Sequence, residues 1–178
     1  MRRRTLKKSD DGAISTTTPE QIRARTFQRA AKLLAAKPRS IEELRERLLE
    51  RRGVTDKVVE EVIARLKEYG YLDDERFALS FAALKVKQRP IGRRRLQQDL
   101  KLKKVANAVA DEALDLVYAE TTEEELIDRA IEKRIRLRGH PKTRLEAKSL
   151  FDHLLRQGFA FELVSEKVRR LSRSELEE

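Results

Sequence analysis

Three of the chain's four prolines stand in one local pattern that recurs at nearly constant spacing: Lys37-Pro38-Arg39-Ser40, Arg89-Pro90-Ile91-Gly92 and His140-Pro141-Lys142-Thr143. The intervals between them are 52 and 51 residues. Proline cannot continue a helix, because it lacks the N–H and its ring collides with the preceding turn. Each pattern therefore marks a helix end. Two positions later stands a residue suited to begin the next helix: Ser40, Gly92 or Thr143. Glu43 and Glu146 follow Ser40 and Thr143 by three residues, which predicts two capping boxes. A period of about 50 residues is the mark of tandem supersecondary units. The fourth proline, Pro19, lies between Thr18 and Gln21, so the first ordered helix is expected to begin there.

Each unit accommodates three helices. The first helices carry Phe27, Ala30, Ala31 and Leu34, then Phe77, Phe81 and Leu84, then Ile127, Ala130, Ile131 and Ile135. These are the spacings of one buried helical stripe. Second helices carry Leu44 and Leu48, Leu96 and Leu100, and Leu150 and Leu154. Third helices carry Val58, Val62 and Leu66, then Val109, Ala113 and Val117, then Leu163, Val168 and Leu171. Gly53 and Gly158 fall where a left-handed helix stop is needed, and Thr55 and Asn107 are candidates to start the helices that follow. Only 6 glycines, 4 prolines and 5% aromatic residues are present, too few for the turns and strands of a β-sandwich or barrel.

The expected fold is all-α: three tandem three-helix repeats stacked into an elongated, curved molecule. A flexible basic tail is expected over 1–17, a leading helix and first repeat over 18–74, a second repeat over 75–122, a third over 123–173, and an acidic end over 174–178. One such unit buries too little apolar surface to be secure alone, and stacking supplies the rest. A single compact nine-helix bundle is the rival arrangement; the short connections between units count against it.

The net charge of +10 is unevenly placed. Residues 85–104 carry nine bases against the single acid Asp99, whereas residues 105–128 carry eight acids and no base. With Leu96 and Leu100 facing the core, Arg94, Gln98 and Lys101 project from the opposite face, with Arg95 alongside and Arg93 and Lys104 flanking the seam. Such a face suits a polyanion or an acidic protein, with phosphate contacts supplying affinity rather than sequence reading. The candidate contact residues are Lys85, Lys87, Arg89, Arg93, Arg94, Arg95, Gln98, Lys101 and Lys104, with Arg134 and Arg138 from a second basic stretch. The plainer reading is a solvated helical surface. The acidic block would repel nucleic acid yet can pair with a basic protein surface.

Catalytic groupings are missing from the pattern. There is no cysteine, and His140 and His153 have no companions at metal or triad spacing. No glycine-rich phosphate loop is present, and no apolar run reaches the length of a membrane span. The chain reads as a non-enzymatic cytoplasmic protein without metal or cofactor. The stretch Gly70-Tyr71-Leu72-Asp73-Asp74-Glu75-Arg76-Phe77-Ala78 reads as a rigid elbow between units. Gly70 ends one helix, Tyr71 and Leu72 pack across the junction, Asp73 or Asp74 caps the next helix, and Phe77 opens its buried stripe.

That elbow resembles the RecX family of regulators of the bacterial RecA recombinase. So do Arg89-Pro90-Ile91-Gly92 leading into Arg93-Arg94-Arg95-Leu96-Gln97-Gln98-Asp99-Leu100, Pro38-Arg39-Ser40-Ile41-Glu42-Glu43-Leu44 and Leu154-Leu155-Arg156-Gln157-Gly158-Phe159. The chain departs from the family where the middle unit's second helix usually ends in a Lys-Gly-Ile-like turn. Here it runs Lys101-Leu102-Lys103-Lys104-Val105 with no glycine. The resemblance implies a monomeric protein that binds the RecA nucleoprotein filament and modulates, usually inhibits, its recombinase and ATPase activities in recombination, repair and the SOS response. DNA contact through the basic helix is a further implication. The rival function is a helical DNA- or RNA-binding protein with no RecA partner, and an inert helical scaffold is a third.

Overall fold

The computed structural model describes residues 18–174, with side chains through Leu171. The basic tail over 1–17 and the acidic end beyond Ser174 lie outside the described residues. The architecture is the all-helical repeat expected. The helices are α1 (Pro19–Ala36), α2 (Ile41–Leu49), α3 (Asp56–Glu68), α4 (Asp74–Gln88), α5 (Arg93–Leu102), α6 (Asn107–Glu120), α7 (Glu123–Arg138), α8 (Arg144–Arg156) and α9 (Phe161–Ser174).

Capping sets most helix starts. Thr18 with Gln21, and Thr143 with Glu146, form reciprocal boxes, and Thr122 with Glu125 adds one that the proline pattern does not signal. Thr55 accepts the Val58 N–H. Two expected caps differ. Ser40 accepts the Glu43 N–H at 3.1 Å, but the Glu43 carboxylate turns to Arg39 at 2.7 Å and Lys103 at 3.5 Å instead of closing the box. Asn107 lies inside α6, and Ala106 holds the cap position with no side-chain bond.

The turn that lacks a glycine is closed by Lys104, which takes φ +60° where Gly53 and Gly158 take +81° and +88° in the corresponding turns of the other units. Val105 N–H donates to Leu100 O at 3.2 Å, as Phe159 N–H does to Leu154 O at 3.4 Å.

The buried side chains form two cores. One lies among α1–α3 (Ala30, Leu44, Leu48, Val59, Val62, Ile63, Leu66) and takes in Leu72 from the elbow. The other runs without interruption through α4–α9, from Ala78 and Ala82 to Leu154, Phe159 and Val164. In α4 the buried stripe is Ala78, Ala82 and Val86, one position on from the expected Phe77 and Phe81 and two on from Leu84. The reason is helix approach: Ala78 and Ala82 on α4 and Ala110 and Ala113 on α6 are all small, so the helices close up and leave no room for rings between them. Phe77 and Phe81 are left half-buried and stacked at a centroid distance of 5.9 Å, while Leu84 is exposed. In α1, Ala31 likewise faces solvent, and Thr26 joins Ala30 in the interior.

Successive units meet by one repeated device, in which the start of one second helix abuts the end of the next. At the first seam the Ser40 hydroxyl donates to the Lys103 carbonyl, Asp74 accepts the Ile41 N–H at 2.8 Å, and Lys104 pairs with Glu46. At the second seam the Gly92 and Arg94 N–H groups donate to Gln157 O and Gly158 O at 2.9 and 3.2 Å. This head-to-tail contact sets a helix N-terminus, which is electropositive, against a C-terminus, which is electronegative. A Cβ on Gly92 would stand 2.2 Å from the Gly158 carbonyl carbon, and one on Gly158 would stand 2.4 Å from the Arg95 nitrogen. The second seam is therefore built on backbone touching backbone.

Candidate contact surface

The structure divides the predicted basic residues into three groups. Arg93 and Lys104 are structural: Arg93 pairs with Asp115 at 2.7 Å and reaches the Asp111 carbonyl, and Lys104 reaches Glu46 across the first seam. Arg94, Gln98 and Lys101 stand exposed on the outer face of α5, as the leucine spacing predicts, and Lys87 is exposed near the end of α4. Arg89, Arg95 and Arg134 are gathered into a cleft where α7 and α8 meet the α4–α5 connection. Arg138 is close enough to depress the Arg134 guanidinium. Lys85 lies apart from all of these, over the Phe81 ring at 5.4 Å.

The cleft has a volume of about 400 Å³ and its remaining polar lining is Lys133, Arg156, His153 and Gln157. Among the described residues that line it there is no Asp or Glu. Arg95 holds the nearby Asp99 at 3.2 Å, and Arg134 reaches the Ser149 hydroxyl at 3.3 Å. Burial, then Arg138 and Arg156, pull Arg134 below the ordinary guanidinium range. Burial first, then Arg134, Arg156 and Arg138, lower the His153 imidazole. A ring held neutral suits its 2.9 Å contact with the Gln157 amide nitrogen, which leaves the Gln157 Oε1 buried and unbonded. Arg95 is neutralised by Asp99, but the other like charges gathered here have no carboxylate in the described lining, and an anion would supply the missing charge.

Arg156 and His153 are the members that sequence reasoning passed over, and Lys133 was legible only as part of a basic stretch. The signal lay in the repeat register. Ala130, Lys133, Arg134, Leu137 and Arg156 stand 53 positions beyond Phe77, Ser80, Phe81, Leu84 and Lys103, which line a groove at the first seam.

Much of the acidic block is occupied inside the molecule. Glu123 accepts the Arg93 N–H at 3.0 Å, Asp111 accepts from Gln97 at 2.8 Å, and Asp128 pairs with Lys167 at 2.7 Å. At the elbow, the two aspartates serve different helices. Asp73 caps α4 through the Arg76 N–H at 3.0 Å, while Asp74 reaches back to α2. Leu72 is buried, but Tyr71 is exposed and meets Tyr69 edge-on rather than packing across the junction. Among the described residues no His, Cys, Asp or Glu cluster could hold a metal ion, and no helix is long and apolar enough to cross a membrane.

Two family descriptions match the chain: RecX, first three-helix domain, over residues 27–66, and RecX, second three-helix domain, over residues 73–114. The chain is 33% identical to the regulatory protein RecX of Chlorobium limicola over 144 residues, covering 80% of this chain and 86% of that one. It is 42% identical to the RecX of Treponema pallidum over 111 residues, covering 62% and 66% of the two chains. It is 30% identical to that of Bacillus licheniformis over 139 residues, covering 78% and 52%. The chain thus spans just under two thirds of the Treponema relative and about half of the Bacillus one. The crystal structure of RecX from Lactobacillus salivarius superposes with a TM-score of 0.75 over 86% of this chain and 98% of that one, at 19% identity. This last likeness concerns the fold.

Proposed function

The chain belongs to the RecX family of regulatory proteins, and from that premise we propose that it binds the RecA nucleoprotein filament and inhibits its recombinase and ATPase activities. It does so without chemistry of its own, as a cytoplasmic monomer of three units divided near residues 74 and 122. The observation that carries the contact surface is the convergence of Arg89, Arg95, Lys133, Arg134 and Arg156 on a cleft whose described lining holds no carboxylate. Such a site takes the phosphodiester backbone of the filament's DNA, and the exposed Arg94, Gln98 and Lys101 extend the contact along α5.

The test is the double variant Lys133→Glu, Arg156→Glu. Both residues are exposed, so each change should alter stability by less than about 0.5 kcal/mol. Two lost phosphate contacts, with repulsion added, should weaken binding to single-stranded DNA by about a hundredfold, or roughly 3 kcal/mol. The dependence on salt should also become shallower. Inhibition of RecA strand exchange and ATP hydrolysis is expected to fall in parallel. A folded double variant that inhibits as well as the parent removes the cleft from the mechanism. A parent that binds DNA but leaves RecA activity untouched would replace this reading with that of a direct nucleic-acid-binding protein.

A further inference from the structure

The groove at the first seam has the same origin as the cationic cleft and the opposite floor. It measures about 580 Å³ and lies between the end of α1 and the outer side of α4. Its floor is apolar: Leu34, Pro38, Phe77, Phe81 and Leu84, with Tyr71 at one end. Phe77, Phe81 and Leu84 came to this side when α4 turned its alanines toward α6; the two phenylalanines keep one side against the core, and Leu84 is exposed. Leu84 is 54% exposed and Tyr71 is 67% exposed. Apolar groups gathered in one open groove mark a place where another surface is meant to sit.

The rim says which kind of surface. Lys37, Arg39, Arg76, Lys85 and Lys103 line the groove, against the single carboxylate Asp73, which is already engaged in capping α4. Glu43 pairs with Arg39 at 2.7 Å and with Lys103 at 3.5 Å, and so serves two of these cations. Lys37 faces Lys103, which holds the Lys37 ammonium below its ordinary range although Glu43 partly offsets it. Arg76 reaches only the Gly70 carbonyl, at 2.6 Å, and Lys85 lies over the Phe81 ring. A cationic groove takes single-stranded nucleic acid where open aromatic faces let bases stack, but here Phe81 is stacked on Phe77 and covered by Lys85, and the rest of the floor is largely aliphatic. Such a floor inside a cationic rim selects for peptide.

We propose that the groove between α1 and α4 docks an acidic amphipathic segment of a partner protein, with apolar side chains on Phe77, Phe81 and Leu84 and carboxylates toward Lys37, Arg76 and Lys85. The inference rests on the reading that this chain acts by binding protein, and it assigns the protein contact and the DNA contact to different seams. The segment is a helix or short extended stretch carrying two or three large apolar residues among several Asp or Glu.

The test uses the full chain and a short fluorescein-labelled helical peptide with Leu and Phe on one face and Glu on the other. Two controls replace its apolar residues with Ala or its Glu residues with Lys. The parent should bind the acidic amphipathic peptide and neither control. Leu84→Asp and Lys37→Glu alter exposed positions, and each should weaken binding at least about tenfold. Lys133→Glu, Arg156→Glu should leave peptide binding unchanged, and Leu84→Asp should leave binding to single-stranded DNA unchanged. Equal binding of either control peptide overturns the proposal, as does a Leu84→Asp chain that binds the peptide like the parent. Deletion of residues 175–178, Glu-Leu-Glu-Glu, also reads out the occupant. If that deletion strengthens peptide binding, the chain's own end fills the groove and the proposal fails. Loss of filament inhibition with peptide binding intact in Lys133→Glu, Arg156→Glu would support the division of labour between the seams. A parent that inhibits RecA but never binds the peptide would overturn this groove and spare the proposed function.

Discussion

The two grooves between units are copies of one place in the repeat. Each is walled by a proline-marked helix end, by one face of the following unit's first helix, and by the last turn of its second helix. In the first groove that helix face reads Phe77, Ser80, Phe81, Leu84; in the second it reads Ala130, Lys133, Arg134, Leu137. The backbone supplies a concave site at each junction, and four positions decide what it can hold. The flanking seams differ as well. The first is closed by side chains, through Ser40, Asp74 and the Lys104–Glu46 pair, whereas the second is closed by backbone through Gly92 and Gly158.

The largest effect is expected from Gly92→Ala, which strikes the second seam alone. Its Cβ would overlap the Gly158 backbone, and neither chain segment can move aside as a flexible side chain could. The expected cost is about 3 kcal/mol in denaturant unfolding, with the second groove disturbed and the first intact. DNA binding should therefore fall while peptide binding persists. Unaltered stability would mean that the second seam is looser than its geometry indicates.

A smaller effect separates the grooves by pH. His153 lies in the second groove, and the first has no histidine in its lining. Burial and the arginines around it depress the imidazole, so the folded chain binds a proton less readily than the unfolded one. Its contribution to stability is whole above the ordinary histidine range, near pH ~6.5, and declines as pH falls through that value. A bound phosphate reverses the balance, because anionic charge favours the imidazolium. Single-stranded DNA should bind a few-fold more tightly near pH 6 than near pH 7.5, roughly 1 kcal/mol, and His153→Gln should flatten that dependence. Peptide binding at the first groove should remain level across the same interval. A parent profile as flat as that of His153→Gln would take the imidazole out of the anion site.

The smallest effect concerns the seams themselves. Lys104 sits in a left-handed conformation that costs a side chain roughly 1–2 kcal/mol. Lys104→Gly relieves that strain but gives up the pair with Glu46 and adds freedom to the unfolded chain. The net expectation is a gain of about 0.5 kcal/mol in denaturant unfolding. A loss instead would show that the first seam depends on the ion pair more than on the turn.

The helix boundaries were legible because their causes are local. Proline, the capping pairs Thr18–Gln21 and Thr143–Glu146, and the stops at Gly53, Gly70 and Gly158 act over three to six residues. The outer face of α5 was legible for the same reason, since Leu96 and Leu100 fix the direction of Arg94, Gln98 and Lys101. Misreadings arose where a partner decides. Phe77, Phe81 and Leu84 have the spacing of a core stripe, but periodicity does not tell large from small, and α6 accepts only the alanines beside them. Ser40 has the sequence of a capping box, yet its glutamate pairs with Arg39 and reaches Lys103 of the next unit.

Local chemistry along the chain accounts for a series of three-helix units, for most of the helix boundaries though not the starts of α6 and α7, and for the concentration of positive charge in the middle. Those properties follow from backbone sterics, short-range hydrogen bonding and composition. Only the tertiary structure decided which bases act together. Arg93 and Lys104 bind their own fold, and Arg89, Arg95, Arg134 and Arg156 meet across a seam because a backbone contact at Gly92 and Gly158 brings two units together. It also decided that Phe77 and Phe81 sit at the edge of the core and that, with Leu84, they line a groove. Both outcomes depend on how closely two surfaces can approach, which is a property of the pair and is written in neither segment alone.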